Sequence, residues 1–144
     1  MLTIRKATIA DAKMLFDWRN DAATRANSHV TDELKYEPHV TWLTAALANP
    51  DRLLLIAEED GHPVGHVRVD FKPDAEAELS WTVDPAARGA GVAKRMVRMV
   101  ADEFSPRYVL CAEVKSGNEA SIRVATYAGL KLFHQDQHLL IFRR

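Results

Sequence analysis

The chain has 144 residues, 47% of them apolar, and a formal charge of −1 near neutrality. That length suits one domain, 1–144, with a core of its own, and the apolar share excludes a disordered chain. The balanced charge gives no basic surplus for nucleic acid or an anionic membrane surface, and no apolar stretch is long enough to span a bilayer. A single cysteine, Cys111, cannot close an internal disulfide, and no signal-like N-terminus is visible, so a cytoplasmic protein is expected. The histidines are scattered without ligand spacing, so no metal site is expected.

In chain order, Leu2 to Ala7 reads as a first strand. Thr8 can cap a helix with Asp11 in its first turn, after which Leu15, Trp18 and Ala22 recur at helical spacing. A polar stretch from Asn27 to Pro38 breaks the pattern. His39 to Ala48 reads as a second helix with Val40, Leu43 and Leu47 on one face, ended by Asn49-Pro50-Asp51. Leu53 to Ala57 is a strongly apolar strand, Asp60-Gly61 a hairpin turn, and Val64 to Phe71 the return strand. After a turn at Lys72-Pro73-Asp74, Ala77 to Val83 alternates Leu79, Trp81 and Val83 against Glu78, Ser80 and Thr82. A long helix to about Phe104 carries Val92, Met96, Val97 and Val100 on a broad apolar face. Tyr108 to Val114 is another strand, in which Cys111 reads as a buried apolar residue rather than a nucleophile. Asn118 caps a further helix to about Ala128, and Leu130 to Phe133 and His138 to Phe142 close the sheet. A meander followed by a βαβ unit is a mixed-sheet α/β domain.

The most informative segment follows the strand ending at Val83 and the turn at Asp84-Pro85: Arg88-Gly89-Ala90-Gly91-Val92-Ala93-Lys94. A glycine-rich turn at a helix N-terminus leaves backbone N–H groups without intrahelical partners, and the helix dipole adds partial positive charge there. Gly89 and Gly91 have no Cβ, so an anion can approach the backbone closely. The segment lacks the Gly-Lys-Ser/Thr ending of a P-loop, and Lys94 stands where a dinucleotide fingerprint needs its third glycine.

Val83-Asp84-Pro85 followed by this run resembles the coenzyme A pyrophosphate loop of the GNAT superfamily of N-acyltransferases. Asn118-Glu119-Ala120-Ser121-Ile122 matches a second motif of that family, and the element order matches its fold over nearly the whole chain. The resemblance implies a GNAT-like mixed, mostly antiparallel central sheet flanked by about four helices. It implies a V-shaped splay between the strands at 77–83 and 108–114 that takes the pantetheine arm. Val83 would offer backbone contacts, and the N–H groups of Gly89, Ala90, Gly91, Val92, Ala93 and Lys94 would hold the pyrophosphate. Arg88 supports the loop or reaches a phosphate. Lys94 adds charge near the 3′-phosphate or is a solvated helix lysine. Asn118, with Ser121 beside it, contacts the pantetheine, caps the helix, or does both.

The implied reaction is transfer of the acetyl group of acetyl-CoA to a primary amine by direct attack in a ternary complex, without a metal. A base must take the amine's proton. Glu78, on the strand entering the loop, is the first candidate, with Glu113 and Asp70 behind it. The family pattern Tyr-x-Lys-x-Gly-Phe reads here as Ala125-Thr126-Tyr127-Ala128-Gly129-Leu130, so Ala125 stands at the tyrosine position. Tyr127, two residues on and roughly 200° around the helix, is the candidate acid for the leaving thiolate. Ser121, a water or no acid at all are the alternatives, and Tyr36 lies in the acceptor region.

For the acceptor, Trp18-Arg19-Asn20 on the first helix and His39-x-x-Trp42 on the second resemble a subgroup that includes acetyltransferases of nucleotide-linked amino sugars, such as those of the pseudaminic acid pathway. They resemble more loosely the acetyltransferases of ribosomal-protein N-termini. On that reading Arg19 and Arg25 meet a diphosphate, His39 and Trp42 pack a sugar or uracil ring, and Asn20 is a further substrate-binding residue. The plainer assignment makes Trp18 and Trp42 packing residues and Arg19 an ion-pair partner. The expected partner is a small-molecule amine, with no nucleic acid and no membrane, and a monomer or homodimer. A protein N-terminal acetyltransferase and a non-catalytic acyl-CoA-binding module stand as alternatives.

Overall fold

Alternating apolar residues build a seven-stranded sheet in the computed structural model, which describes all 144 residues. Strands β1 (Leu2–Lys6), β2 (Arg52–Glu59), β3 (His62–Lys72) and β4 (Glu76–Val83) form an antiparallel meander. β5 (Val109–Lys115) lies parallel to β4, and β6 (Lys131–Gln135) and β7 (Leu139–Arg143) complete the order β1-β2-β3-β4-β5-β7-β6. Helices α1 (Ala12–Asn20) and α3 (Tyr36–Ala48) pack on one face, where Leu15, Trp18 and Leu43 cover Leu54 and Ile56 of β2. Helices α4 (Val92–Phe104) and α5 (Glu119–Tyr127) pack on the other, where Met96, Val97 and Val124 join Val67, Leu79 and Leu110. None of the helices is long and apolar enough to cross a membrane.

Two boundaries differ from expectation. The first helix breaks at Asp21, whose extended backbone (φ −56°, ψ 135°) starts a separate α2 (Ala22–Ala26), and whose carboxylate caps it by accepting from the Thr24 N–H at 3.1 Å. The second helix begins at Tyr36 rather than His39, with Pro38 inside its first turn. Proline is tolerated there because an N–H in the first turn has no intrahelical acceptor to lose. The sheet is therefore flanked by five helices rather than four.

The sheet and α4 meet closely at Gly65, where a Cβ would lie 2.5 Å from the Met96 Sδ and would have to push that flexible thioether aside. β4 stays paired to β3 as far as Val83 opposite Gly65, but to β5 only from Glu76–Val109 to Glu78–Cys111. β5 turns away to pair with β7 from Cys111 to Lys115. The expected splay is present and opens after Glu78. From Leu79 onward, the edge of β4 that faces β5 has no strand partner.

Candidate active site

The loop after β4 is built by local capping. Asp84 accepts from the Ala86 N–H at 3.0 Å and holds a single 3-10 turn at Pro85–Ala87, which steers the chain back over the strand ends. Gly89 (φ +85°) and Gly91 (φ +71°) take left-handed backbone, which costs an L-residue with a Cβ about 1–2 kcal/mol. Gly91 occupies the cap position of α4 and offers no side-chain acceptor. The first α4 N–H with a partner is that of Arg95, which donates to the Gly91 carbonyl at 3.2 Å. The N–H groups of Gly89, Ala90, Gly91, Val92, Ala93 and Lys94 meet no acceptor in the protein.

Those donors border a cavity of about 560 Å³ walled by the end of β4, the loop after it, α4 and α5. Of the residues expected to hold the cofactor, Val83, Arg88, Gly89, Gly91, Val92 and Ala93 line it from the loop side. Lys94, Asn118 and Ser121 line it from the two helices, while Ala90 contributes to the loop without lining the cavity. Three cationic side chains, Arg88, Lys94 and Arg123, border the space, and no carboxylate does. The Asn118 Oδ1 accepts from the Ser121 N–H at 3.2 Å, and its Nδ2 has no acceptor in the protein. One side chain thus caps α5 and keeps a donor free.

The far wall is not legible in the sequence. It is α2, through Ala23, Thr24, Asn27 and Ser28. Arg88 fastens it, donating to the Asp21 carboxylate and, at 3.1 Å, to the Thr24 hydroxyl. The Arg88 guanidinium is the main reason the Asp21 carboxyl is held below the usual range. Lys115 donates to the Ala26 carbonyl at 3.3 Å, and His29 Nε2 lies 3.0 Å from a Glu113 oxygen, so β5 grips the same segment. The only sequence signal for this wall is an aspartate three residues before a threonine, a helix cap without a helical run behind it.

Among the carboxylates, Glu78 occupies the last position at which β4 and β5 still pair, and its side chain is largely buried beside the Lys72 ammonium at 3.5 Å. Lys72 is held above its usual value chiefly by that carboxylate. Asp70 is engaged by Arg52 at 3.2 Å and Arg68 at 3.0 Å, and Glu113 is the one facing His29. Tyr127 is not brought to the cavity. It is exposed on the outer surface, with the Lys94 ammonium 5.9 Å and the Arg98 guanidinium 5.2 Å from its ring centre. Ala125 is fully buried in the core. Burial first, then Glu76, pushes the Cys111 thiol up to about 12, which keeps it protonated and unreactive. No group of three or more His, Cys, Asp or Glu side chains is placed to hold a metal ion.

The model of the acetyltransferase (GNAT) domain family matches residues 1–131. The chain belongs to that family. It is an acetyl-CoA-dependent N-acetyltransferase of the GNAT type. Its fold is that of the ribosomal-protein-alanine N-acetyltransferase of Brucella melitensis, at 27% identity and a TM-score of 0.79 over 99% of this chain and 98% of that one. The protein yncA of Salmonella typhimurium, solved with acetyl-CoA, superposes with a TM-score of 0.80 at 22% identity, over 99% and 92% of the two chains. The aminoglycoside acetyltransferase AAC(6')-Ib, solved with coenzyme A, gives a TM-score of 0.82 at 16% identity over 99% and 93%. A comparison with curated proteins finds no match.

The residues expected to meet the acceptor divide. Arg19 and Trp42 meet, the guanidinium carbon lying 5.4 Å from the centre of the indole. His39 is buried between Phe16 and Trp42 at ring-centre distances of 5.6 and 6.0 Å. Asn20 instead works as a clasp, its Oδ1 accepting from the Leu34 N–H at 2.8 Å and its carbonyl from Arg25 at 3.2 Å. Arg25 also reaches the Thr31 carbonyl, so it ties down the connection between α2 and α3 and is not part of the Arg19 cluster. Trp18 is a core residue.

Proposed function

We propose that the protein transfers the acetyl group of acetyl-CoA to a primary amine of a small molecule, with a nucleotide-linked amino sugar as the first acceptor to try. The observation that carries the reading is the run of unpartnered N–H groups from Gly89 to Lys94 above a cavity with cationic and no anionic walls. That combination fits a pyrophosphate. The free edge of β4 beyond Glu78 supports pantetheine pairing through its backbone, as a strand edge does for any extended chain. Asn118 has a spare amide donor for the same arm.

In the reaction so assigned, Glu78 takes a proton from the ammonium of the acceptor, directly or through one water. The amine lone pair forms the new N–C bond at the acetyl carbon. A backbone N–H of the free β4 edge donates to the developing oxyanion, and the C–S bond then breaks. The thiolate departs with its electron pair, and the second proton that the attacking nitrogen sheds to become the amide passes to it through water. A thiol of ordinary acidity near 8.5 is a tolerable leaving group without an acid beside it. Tyr127 is accordingly left out. Tyr127→Phe is expected to change kcat by less than about twofold, as for an exposed substitution. A large loss of turnover with unchanged coenzyme A affinity would return the phenol to the mechanism.

The likeness to the ribosomal-protein-alanine enzyme supports a second reading, acetylation of a protein N-terminus. A thiol-release assay with acetyl-CoA separates the readings. Amino sugars, nucleotide amino sugars, aminoglycosides and alanine-initiated peptides are offered in turn. Turnover on a small amine is the expected result, and turnover on peptides alone would favour the second reading. Stoichiometric coenzyme A binding without thiol release on any amine would leave a binding module.

A further inference from the structure

A second group of charged and buried polar residues lies on the opposite face of β3 and β4 from α4. Arg19, in the last turn of α1, and Arg68, on β3, both lie against the indole of Trp42 on α3, at 5.4 and 6.0 Å from its centre. Arg19 makes no hydrogen bond and no ion pair within the chain. Arg68 uses only its Nε, on Asp70 at 3.0 Å, which leaves both terminal nitrogens without a partner. Beneath them His66 and His39 are buried, and the Nε2 of each has no partner.

The electrostatics of this group lean positive, with Asp70 as the one carboxylate bonded to it. Burial, and after it the charge of Arg68, lowers Arg19 from its usual value. Burial, and then Arg68 and Arg19, push His66 down to about 3, so it is neutral and can present an N–H without adding charge. Of the carboxylates nearby, Asp70 is shared between Arg68 and Arg52, and Asp11 is spent on a two-armed pair with Arg5 at 2.8 and 2.9 Å. Two guanidiniums brought to one ring with unpartnered imidazoles below them are costly in a fold unless something neutralises them. Guanidinium forks are matched by carboxylate or phosphate oxygens, and neutral imidazole N–H groups serve the same oxygens.

The position bears on chemistry. Arg68 stands opposite Ser80, and Asp70 opposite Glu78, so Arg68 is the diagonal neighbour of Glu78 on the same face of the sheet. Diagonal neighbours on adjacent strands are about 7–8 Å apart. A molecule with its amine at Glu78 reaches the guanidiniums if a few bonds separate its nitrogen from an oxyanion.

We propose that Arg19 and Arg68, backed by His66 and His39, form an oxyanion subsite that selects acceptor amines carrying a carboxylate or phosphate a few bonds from the nitrogen. This rests on the acetyltransferase reading of the same face, and it adds Arg68 and His66 to the residues that the sequence singled out.

The test is calorimetric titration into the protein saturated with coenzyme A, which occupies the phosphate loop and removes it as a competing anion site. The probes are matched pairs: O-phosphoethanolamine against ethanolamine, and β-alanine against β-alanine amide. At least one anionic member is expected to bind tenfold or more tighter than its neutral partner, and the tighter pair tells phosphate from carboxylate. Arg19→Gln, which breaks no bond within the chain, is expected to remove that preference without changing coenzyme A affinity, and Arg19→Lys to restore part of it. Equal binding within both pairs, or an anion preference that survives Arg19→Gln, would overturn the subsite. Because binding is read without turnover, anion-selective binding with no thiol release would instead count against the acetyltransferase reading and leave the subsite standing.

Discussion

Gly91→Glu is expected to lower coenzyme A affinity by at least about 100-fold, or ~3 kcal/mol, while the protein remains folded. Folding survives because an added Cβ meets nothing within 4 Å, so the structural cost is confined to the left-handed backbone at φ +71°. That cost is about 1–2 kcal/mol for a residue with a Cβ, a few degrees in Tm for a domain of this size. Binding suffers for a separate reason. The carboxylate would stand at the open end of α4, among the N–H groups that have no acceptor, and would take the place of the anion they are meant for. Like charges roughly 4 Å apart interact by about 4 kcal/mol at an effective dielectric of about 20, before salt screening reduces it at an exposed loop. Gly91→Ala carries the backbone cost without the charge and is expected to lose little affinity. Titration of both variants with coenzyme A, beside their melting curves, separates the effects. Unchanged affinity in Gly91→Glu would remove the loop as the pyrophosphate site.

The features legible in the sequence are those written within about twenty neighbouring residues. Leu79, Trp81 and Val83 alternate against Glu78, Ser80 and Thr82, and that alternation by itself marks both the strand and its two faces. Val92, Met96, Val97 and Val100 form a helical stripe, and all four are buried against the sheet. The outward direction of Tyr127 follows from its angular distance from position 125 and from nothing further away. The meetings of distant segments leave no such local mark. Arg88 finds Asp21 across 67 positions, and so turns a short helix after a break into the wall of the cavity. Arg68 and His66 sit on a strand where their types alone suggest a solvated edge and a core histidine, and only the packing of α1 and α3 puts them beneath Arg19 and Trp42. The break at Asp21 is hidden because Ala22 continues the helical spacing. Spacing does not register that the aspartate's own carboxylate competes for the Thr24 N–H and restarts the chain.

The splay and the proposed phosphate loop are two ends of one strand, and the position of Glu78 on it sets the second large expectation. β4 carries Glu78 at its last paired residue with β5, its free edge from Leu79, and the loop after Val83, so one strand spaces a carboxylate, an unpaired edge and the proposed anion site. Glu78→Gln keeps the shape and volume of the side chain and removes only its capacity to take a proton. It is expected to lower kcat by about 10²- to 10⁴-fold, the usual range for a general base, with coenzyme A affinity unchanged. Stability should fall by no more than about 1 kcal/mol, because the partner lost is Lys72, whose ammonium end can turn to solvent. Part of the activity should return as pH rises, since a growing share of the acceptor is then already the free amine and needs no base. Glu113→Gln, which loosens only the His29 contact on β5, should leave kcat within a few-fold of the parent. Equal activity of Glu78→Gln and the parent protein across the pH range would exclude Glu78 as the base and assign the proton to water in the splay.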